Sequence, residues 1–148
     1  MSENLILFYL SKDKLLIDLI TYVLDKGHYD PKDMDDAFSV GVYDDFIEAM
    51  DPLKRYFLAS DLEEFIKYKT EIDDQLKNKE LTFFSAVYDR FMQRVEESKS
   101  YYKEILSEPF DYSVDEKINV DYDKLPYTTS KKELKERWRQ QLKFSTIS

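Results

Sequence analysis

Residues 82–108 read TFFSAVYDRFMQRVEESKSYYKEILSE, and Phe84, Val87, Tyr88, Phe91, Val95, Tyr102 and Ile105 recur there at helical spacing. Pro109 closes the run. At 1.5 Å per residue, a helix of about 25 residues spans roughly 37 Å, the longest element in the chain. The rest of the sequence agrees with a helical fold. Two Gly in 148 residues leave little material for hairpins, phosphate loops or dinucleotide fingerprints, and the absence of Cys removes disulfides and thiolate metal sites. A chain of this length buries roughly 70% of its unfolded surface and needs no covalent staples.

Upstream of the long helix, three segments carry the same period. Leu15, Leu16, Leu19, Ile20, Val23 and Leu24 share one face, with Ser11 as the expected N-cap and Gly27 as the expected left-handed C-terminal residue. A second helix is expected to carry Met34, Phe38, Val42, Phe46 and Met50 and to stop at Asp51 and Pro52. Gly41 inside it costs about 1 kcal/mol relative to Ala, which points to a close contact at that position. After an aromatic and basic turn, Ser60 and Glu63 form a capping box ahead of a third helix that ends near Asn78.

Downstream, periodicity disappears over residues 107–129. Phe110, Tyr112, Val114, Ile118, Val120, Tyr122 and Leu125 supply anchors for this long loop to wrap along the helices. Ser130 and Glu133 form a second capping box before a last helix carrying Leu134, Trp138 and Leu142. The predicted fold is all-α, one domain over residues 1–148, an irregular antiparallel bundle of four to five helices with the loop packed on it.

Charge narrows the partners. The chain carries 31 acidic and 22 basic side chains, a net charge of −9, yet residues 130–148 hold six bases against two acids. An acidic body repels nucleic acid and anionic membrane surfaces. The most apolar stretch, Leu5 to Leu24, is interrupted by Ser11, Lys12, Asp13 and Lys14, and residues 1–10 lack the basic start and cleavage site of a secretion signal. Taken alone, these features fit a cytosolic chain or one trimmed of its leader.

Candidate chemistry is sparse. A di-metal carboxylate bundle needs two Glu-x-x-His pairs, and the chain has one histidine, His28, with no Glu three residues before it. His28 in a turn reads as a packing or capping residue, and no Gly-x-Ser-x-Gly elbow accompanies it. Asp33, Asp35 and Asp36 suit the positive end of the second helix, and Asp44 and Asp45 lie further along it. Asp111, Asp115, Asp121 and Asp123 lack the Gly and Glu positions of a calcium loop and read as a solvated acidic segment. No catalytic, cofactor-binding or metal-ligating residue is assigned, and no cofactor is expected. Twelve Tyr and ten Phe are mostly core, with a surplus suited to protein contact. Lys131, Lys132, Lys135, Arg137, Arg139 and Lys143 on the last helix are expected to face solvent or acidic neighbours, with Trp138 packed inward.

An ordered series of motifs carries a family resemblance. His28-Tyr29-x-Pro31, Asp35-Asp36-x-Phe38-Ser39 and Met50-Asp51-Pro52-x-Lys54-Arg55-Tyr56-Phe57-Leu58-x-Ser60-Asp61 come first. Tyr68-x-Thr70-x-Ile72-Asp73-Asp74, Arg94-Val95-Glu96-Glu97, Tyr101-Tyr102, Pro109-Phe110-Asp111-Tyr112 and Glu133-Leu134-x-x-Arg137-Trp138-Arg139 follow. Together they resemble the N-terminal helical region of the tail-specific proteases, or carboxy-terminal processing peptidases, in the style of Bacteroidetes members. The resemblance implies a parent serine endopeptidase of the periplasm or cell envelope, with a PDZ domain that recognises substrate C-termini and a Ser/Lys dyad. None of those positions falls in these residues. The implied role is a non-catalytic scaffold and docking domain, with the parent's PDZ and protease domains, an adaptor or protein substrates as partners. The alternative is a free-standing acidic helical adaptor. Separation from the parent is expected to expose an apolar patch around Trp138 or Leu142.

Overall fold

The computed structural model describes residues 3–147, with side chains from Lys12 onward except that of Pro31. It is all-α, with six α-helices among the described residues: α1 (Glu3–Lys26), α2 (Asp36–Met50), α3 (Ala59–Phe65), α4 (Ile72–Lys77), α5 (Thr82–Leu106) and α6 (Lys131–Ile147). Short 3-10 turns occupy Pro31–Asp33 and Ile66–Tyr68. The helix number exceeds the expected four to five because the third expected helix is broken in two. Chain contacts divide the molecule into two compact units, Met1–Met50 with Phe65–Asp89 and Asp51–Glu64 with Arg90–Ser148.

In the first unit α2 packs against α1 and α4. Leu16, Ile20 and Val23 of α1, Phe38, Val42, Phe46 and Ile47 of α2, and Phe83, Phe84 and Val87 of α5 are buried. The rings interlock edge to face, with Phe46 4.9 Å from Phe84 and 5.8 Å from Phe83, a geometry that adds to area burial. Asp35 caps α2, its side chain accepting from Phe38 N–H at 2.8 Å.

Three expectations for this unit are corrected. Helix α1 begins at Glu3, so Ser11 lies inside it and is no N-cap. Lys12, Asp13 and Lys14 interrupt hydropathy without opposing helix formation. Second, Gly27 does not adopt the left-handed conformation; His28 does, with φ 56°. Gly27 serves Tyr29 instead: a Cβ on Gly27 would sit 2.2 Å from the Tyr29 ring, and one on Gly41 would sit 2.5 Å from its hydroxyl. Both glycines of the chain therefore make room for one tyrosine. Its hydroxyl donates to Asp45 Oδ2 at 2.6 Å, and its ring meets Phe38 edge-on at 5.5 Å.

Third, the helix expected from Ser60 to Asn78 is interrupted. Ser39 of α2 donates to Lys69 C=O at 2.7 Å and accepts from Ile72 N–H at 2.8 Å, so its hydroxyl satisfies the backbone on both sides of the break. The expected end at Asn78 agrees with the C-cap of α4. The capping box also shifts frame. Helix α3 starts at Ala59, and Asp61 reaches back to Leu58 N–H at 2.9 Å.

In the second unit, Phe57, Leu58, Leu134 and Trp138 are buried, and Tyr56, Tyr101, Ile105 and Leu142 pack around the last three. The second capping box forms at the start of α6. Glu133 N–H donates to Ser130 Oγ at 3.2 Å, while the Glu133 carboxylate turns back to Thr129 N–H at 3.0 Å. Residues 107–129 hold no helix and wrap along this unit as expected. Ala59 N–H donates to Thr128 C=O at 2.8 Å beside a single parallel bridge between Leu58 and Thr128.

Candidate functional site

The densest polar construction lies in the second unit, in the turn of residues 51–61 and in the α6 side chains that hold it. Asp51 ends α2 and is 1% exposed. Its carboxylate accepts from the backbone N–H groups of Arg55, Tyr56 and Phe57, each at 3.0 Å. Pro52 cannot continue the helix, and Lys54 turns the chain with φ 51°. Burial pushes the Asp51 carboxyl above the usual carboxylate range, against the pull of those three donors and the Arg55 charge.

Asp61, fully buried, anchors the other end. Arg94 forks onto it through Nε at 2.9 Å and Nη2 at 2.8 Å, Arg90 Nη1 adds a further contact, and Leu58 N–H completes the set. Burial alone would raise this carboxyl, but Arg94, Leu58 and Arg90 overcome it and hold Asp61 below its ordinary value. Arg94 also holds Glu97 at 2.9 Å, and Arg90 holds Glu64 at 2.7 Å.

Helix α6 reads the outer side of the turn through consecutive backbone carbonyls. Gln141 donates to Leu53 C=O at 3.3 Å, Arg137 to Lys54 C=O at 2.9 Å, and Trp138 Nε1 to Arg55 C=O at 2.7 Å. The Arg55 guanidinium lies 4.9 Å from the Trp138 ring centroid, and Tyr56 meets that ring edge-on at 5.5 Å. Lys54 Nζ reaches the carbonyls of Leu125 and Asp123. Asp51, Asp61, Arg94, Arg137 and Trp138 of the sequence motifs are thus engaged with backbone and with one another.

Other singled-out residues fall apart from this turn. His28 is exposed in the turn after α1. Asp44 lies 3.8 Å from Lys69, whereas Asp45 serves Tyr29. In the long loop Asp111 accepts from its neighbour Ser113 and Asp121 faces Lys124 at 3.8 Å. Among the described residues, no three His, Asp or Glu side chains converge as a metal-ligand group. The basic side chains of α6 do meet acids: Lys131 pairs with Glu97, Lys135 with Glu104, and Arg139 with Glu116 and Glu136.

The expected apolar patch is displaced. Trp138 is 7% exposed because the turn and Leu134 cover it. Exposed apolar surface lies about two turns beyond Trp138 along α6, at Phe144 and Ile147, beside Tyr112 and Val114 of the loop. These residues line a groove of about 220 Å³. Lys143 closes its base, donating to Asp111 C=O at 2.6 Å and Val114 C=O at 3.3 Å and pairing with Glu116. Arg139 and Lys143 hold the Glu116 carboxyl down at about 2.

Among the described residues, no helix is long and apolar enough to cross a membrane. The family model described as the tail-specific protease N-terminal domain matches residues 20–148. The tail-specific protease of Haemophilus influenzae is 29% identical over 126 residues, covering 84% of this chain and 18% of that protein. The chain therefore spans under a fifth of the curated relative's length. With a match that takes in both the 51–61 turn and the helix that clamps it, the chain belongs to the family of tail-specific protease N-terminal domains.

Proposed function

We propose that this chain is the non-catalytic scaffold and docking domain of a serine endopeptidase of the periplasm or cell envelope, one that acts on proteins from their C-termini. The parent's PDZ and protease domains are its first partners, and adaptors or protein substrates come after them. The observation that carries this reading is the family match, read with the use the chain makes of its polar residues. Asp51, Asp61, Arg90, Arg94 and Trp138 hold backbone or each other, which is how a rigid platform is built. The exposed face at Tyr112, Val114, Phe144 and Ile147 supplies apolar surface for the remainder of the parent to cover.

The free-standing adaptor reading relies on exposed tyrosines, such as Tyr22, Tyr102 and Tyr112, and on a basic last helix open to a partner. Lys131, Lys135, Arg139 and Lys143 are instead paired within the chain, which favours the docking domain.

A complementation experiment tests the proposal. The parent enzyme lacking this domain should lose processing of an unfolded protein substrate, and the separately purified domain should restore it. The domain alone should show no turnover. Turnover by the isolated domain that survives repeated purification, or full activity of the truncated parent, would overturn the reading.

A further inference from the structure

A second surface lies toward the start of α6, next to the Tyr112 groove along the same helix, and Gln140 lines both. Between the start of that helix and the segment 126–130 lies a cleft of about 740 Å³, within the range of ligand-binding clefts and far larger than one inorganic anion needs. Tyr127 and Thr128 form one wall; Lys132, Glu136, Arg137 and Gln140 form the other.

The charges of this cleft are unevenly committed. Glu133 turns to Thr129, and Glu136 holds Arg139 at 3.0 Å. Lys132 and Arg137 have no such partner: no carboxylate of the described residues lies within ion-pair distance of either. Arg137 is unusual in this chain. Arg90, Arg94 and Arg139 each grip at least two carboxylates, and Arg55 stacks on Trp138. Arg137 is partly buried, yet only one of its five N–H donors has a partner, the Lys54 carbonyl. Asp51, Glu133 and Tyr122 act on it only through longer-range fields, and burial lowers its pKa. The wall at Thr128 is extended and held in place by its bridge to Leu58.

We propose that this cleft binds an extended peptide segment whose carboxylate seats on the free edge of the Arg137 guanidinium. The planar fork matches a carboxylate with two parallel hydrogen bonds, and the partly desolvated site strengthens the pairing. Lys132 adds attraction at the rim. This inference uses the stretch of α6 before the docking groove, with Gln140 common to both, and Arg137 and Lys132 test it apart from the Phe144 and Ile147 surface.

Fluorescence anisotropy with labelled hexapeptides tests it. One peptide has blocked ends and a central Glu, a second replaces that Glu by Gln, and a third is neutral except for a free C-terminal carboxylate. The Glu peptide, the free-carboxylate peptide or both should bind with Kd below about 1 mM, and the Gln peptide at least about tenfold more weakly. The member that binds identifies the source of the carboxylate. Arg137→Gln should abolish the discrimination, and Arg137→Lys should keep part of it. Because Arg137 also holds the 51–61 turn, its variants are compared by circular dichroism, and exposed Lys132→Glu serves as a second probe that should weaken binding several-fold in a stably folded chain. Equal binding of the Glu and Gln peptides, no binding by any peptide, or unchanged binding in both the Arg137→Gln and Lys132→Glu variants would overturn the proposal. Displacement by orthophosphate at the same concentration as the peptide would overturn it too, by marking a small-anion site.

Discussion

Tyr29 occupies space that only glycine leaves, and this single contact accounts for both glycines of the chain. Gly41→Ala gains up to about 1 kcal/mol of helix propensity but forces Tyr29 aside, so a net loss of about 1–2 kcal/mol is expected in urea denaturation. In the Tyr29→Ala background the same change should cost far less, a coupling that a double-mutant cycle reads directly. Burial first, then the hydrogen bond to Asp45, lifts the Tyr29 hydroxyl to about 12. A phenol whose pKa is raised by folding stabilises the protein below its unfolded value of about 10, and that contribution is lost as pH climbs from there to about 12. Tyr29→Phe should flatten the alkaline stability profile across that window. At Asp61 the reasoning is ionic. Removing its charge leaves Arg94 and Arg90 without their shared partner, and Asp61→Asn should cost about 3 kcal/mol. For a domain of this size that is a fall in Tm of roughly 6–12 °C, measurable by calorimetry.

At the scale of elements, local signals were legible and distant ones were not. Helix α5 and the Ser130–Glu133 box follow from residues within four positions of one another, so period and capping chemistry sufficed. The break between α3 and α4 depends on Ser39, which lies 30 and 33 residues from its two backbone partners. Asp61 replaced Ser60 as the working cap because Arg90 and Arg94, on another helix, hold its carboxylate at the turn. The 107–129 loop is clipped to α6 chiefly through Glu116, which Arg139 and Lys143 keep ionised down to about 2. A carboxylate with a depressed pKa stabilises above its unfolded value of about 4.5, and that contribution disappears as pH falls toward about 2. The clip should therefore hold at mildly acidic pH. Glu116→Gln should release it at neutral pH, read as faster tryptic cleavage after Lys117 and Lys124 and faster amide exchange across the loop.

At the scale of the whole molecule, the proposed docking role turns on the exposed apolar face at Tyr112, Val114, Phe144 and Ile147. Ile147→Ser, at the most exposed of these positions (65%), should leave thermal stability within about 0.5 kcal/mol of the parent chain's. It should nevertheless weaken reassociation of the domain with the remainder of the enzyme in a pull-down or by calorimetric titration. Unchanged reassociation would move the docking face elsewhere. The patch was expected around Trp138 or Leu142; the structure puts it on the Leu142 side, because the Trp138 indole finds its partner in the Arg55 carbonyl, which sequence spacing does not disclose.

The sequence by itself determined the all-α class, the long helix, the polar loop and the family, because helical period, capping boxes and motif order are written locally along the chain. It also showed an aromatic and basic turn at residues 54–58 and a crowd of charges on the last helix. Only the tertiary structure decided what those charges do. Buried aspartates need donors wherever the fold can bring them, and the donors come from backbone and arginines up to 33 residues away. Arg137 stands out for the same reason: an arginine's partners are fixed by folding, and only in three dimensions does this one line a cleft whose two glutamates are committed to Thr129 and Arg139.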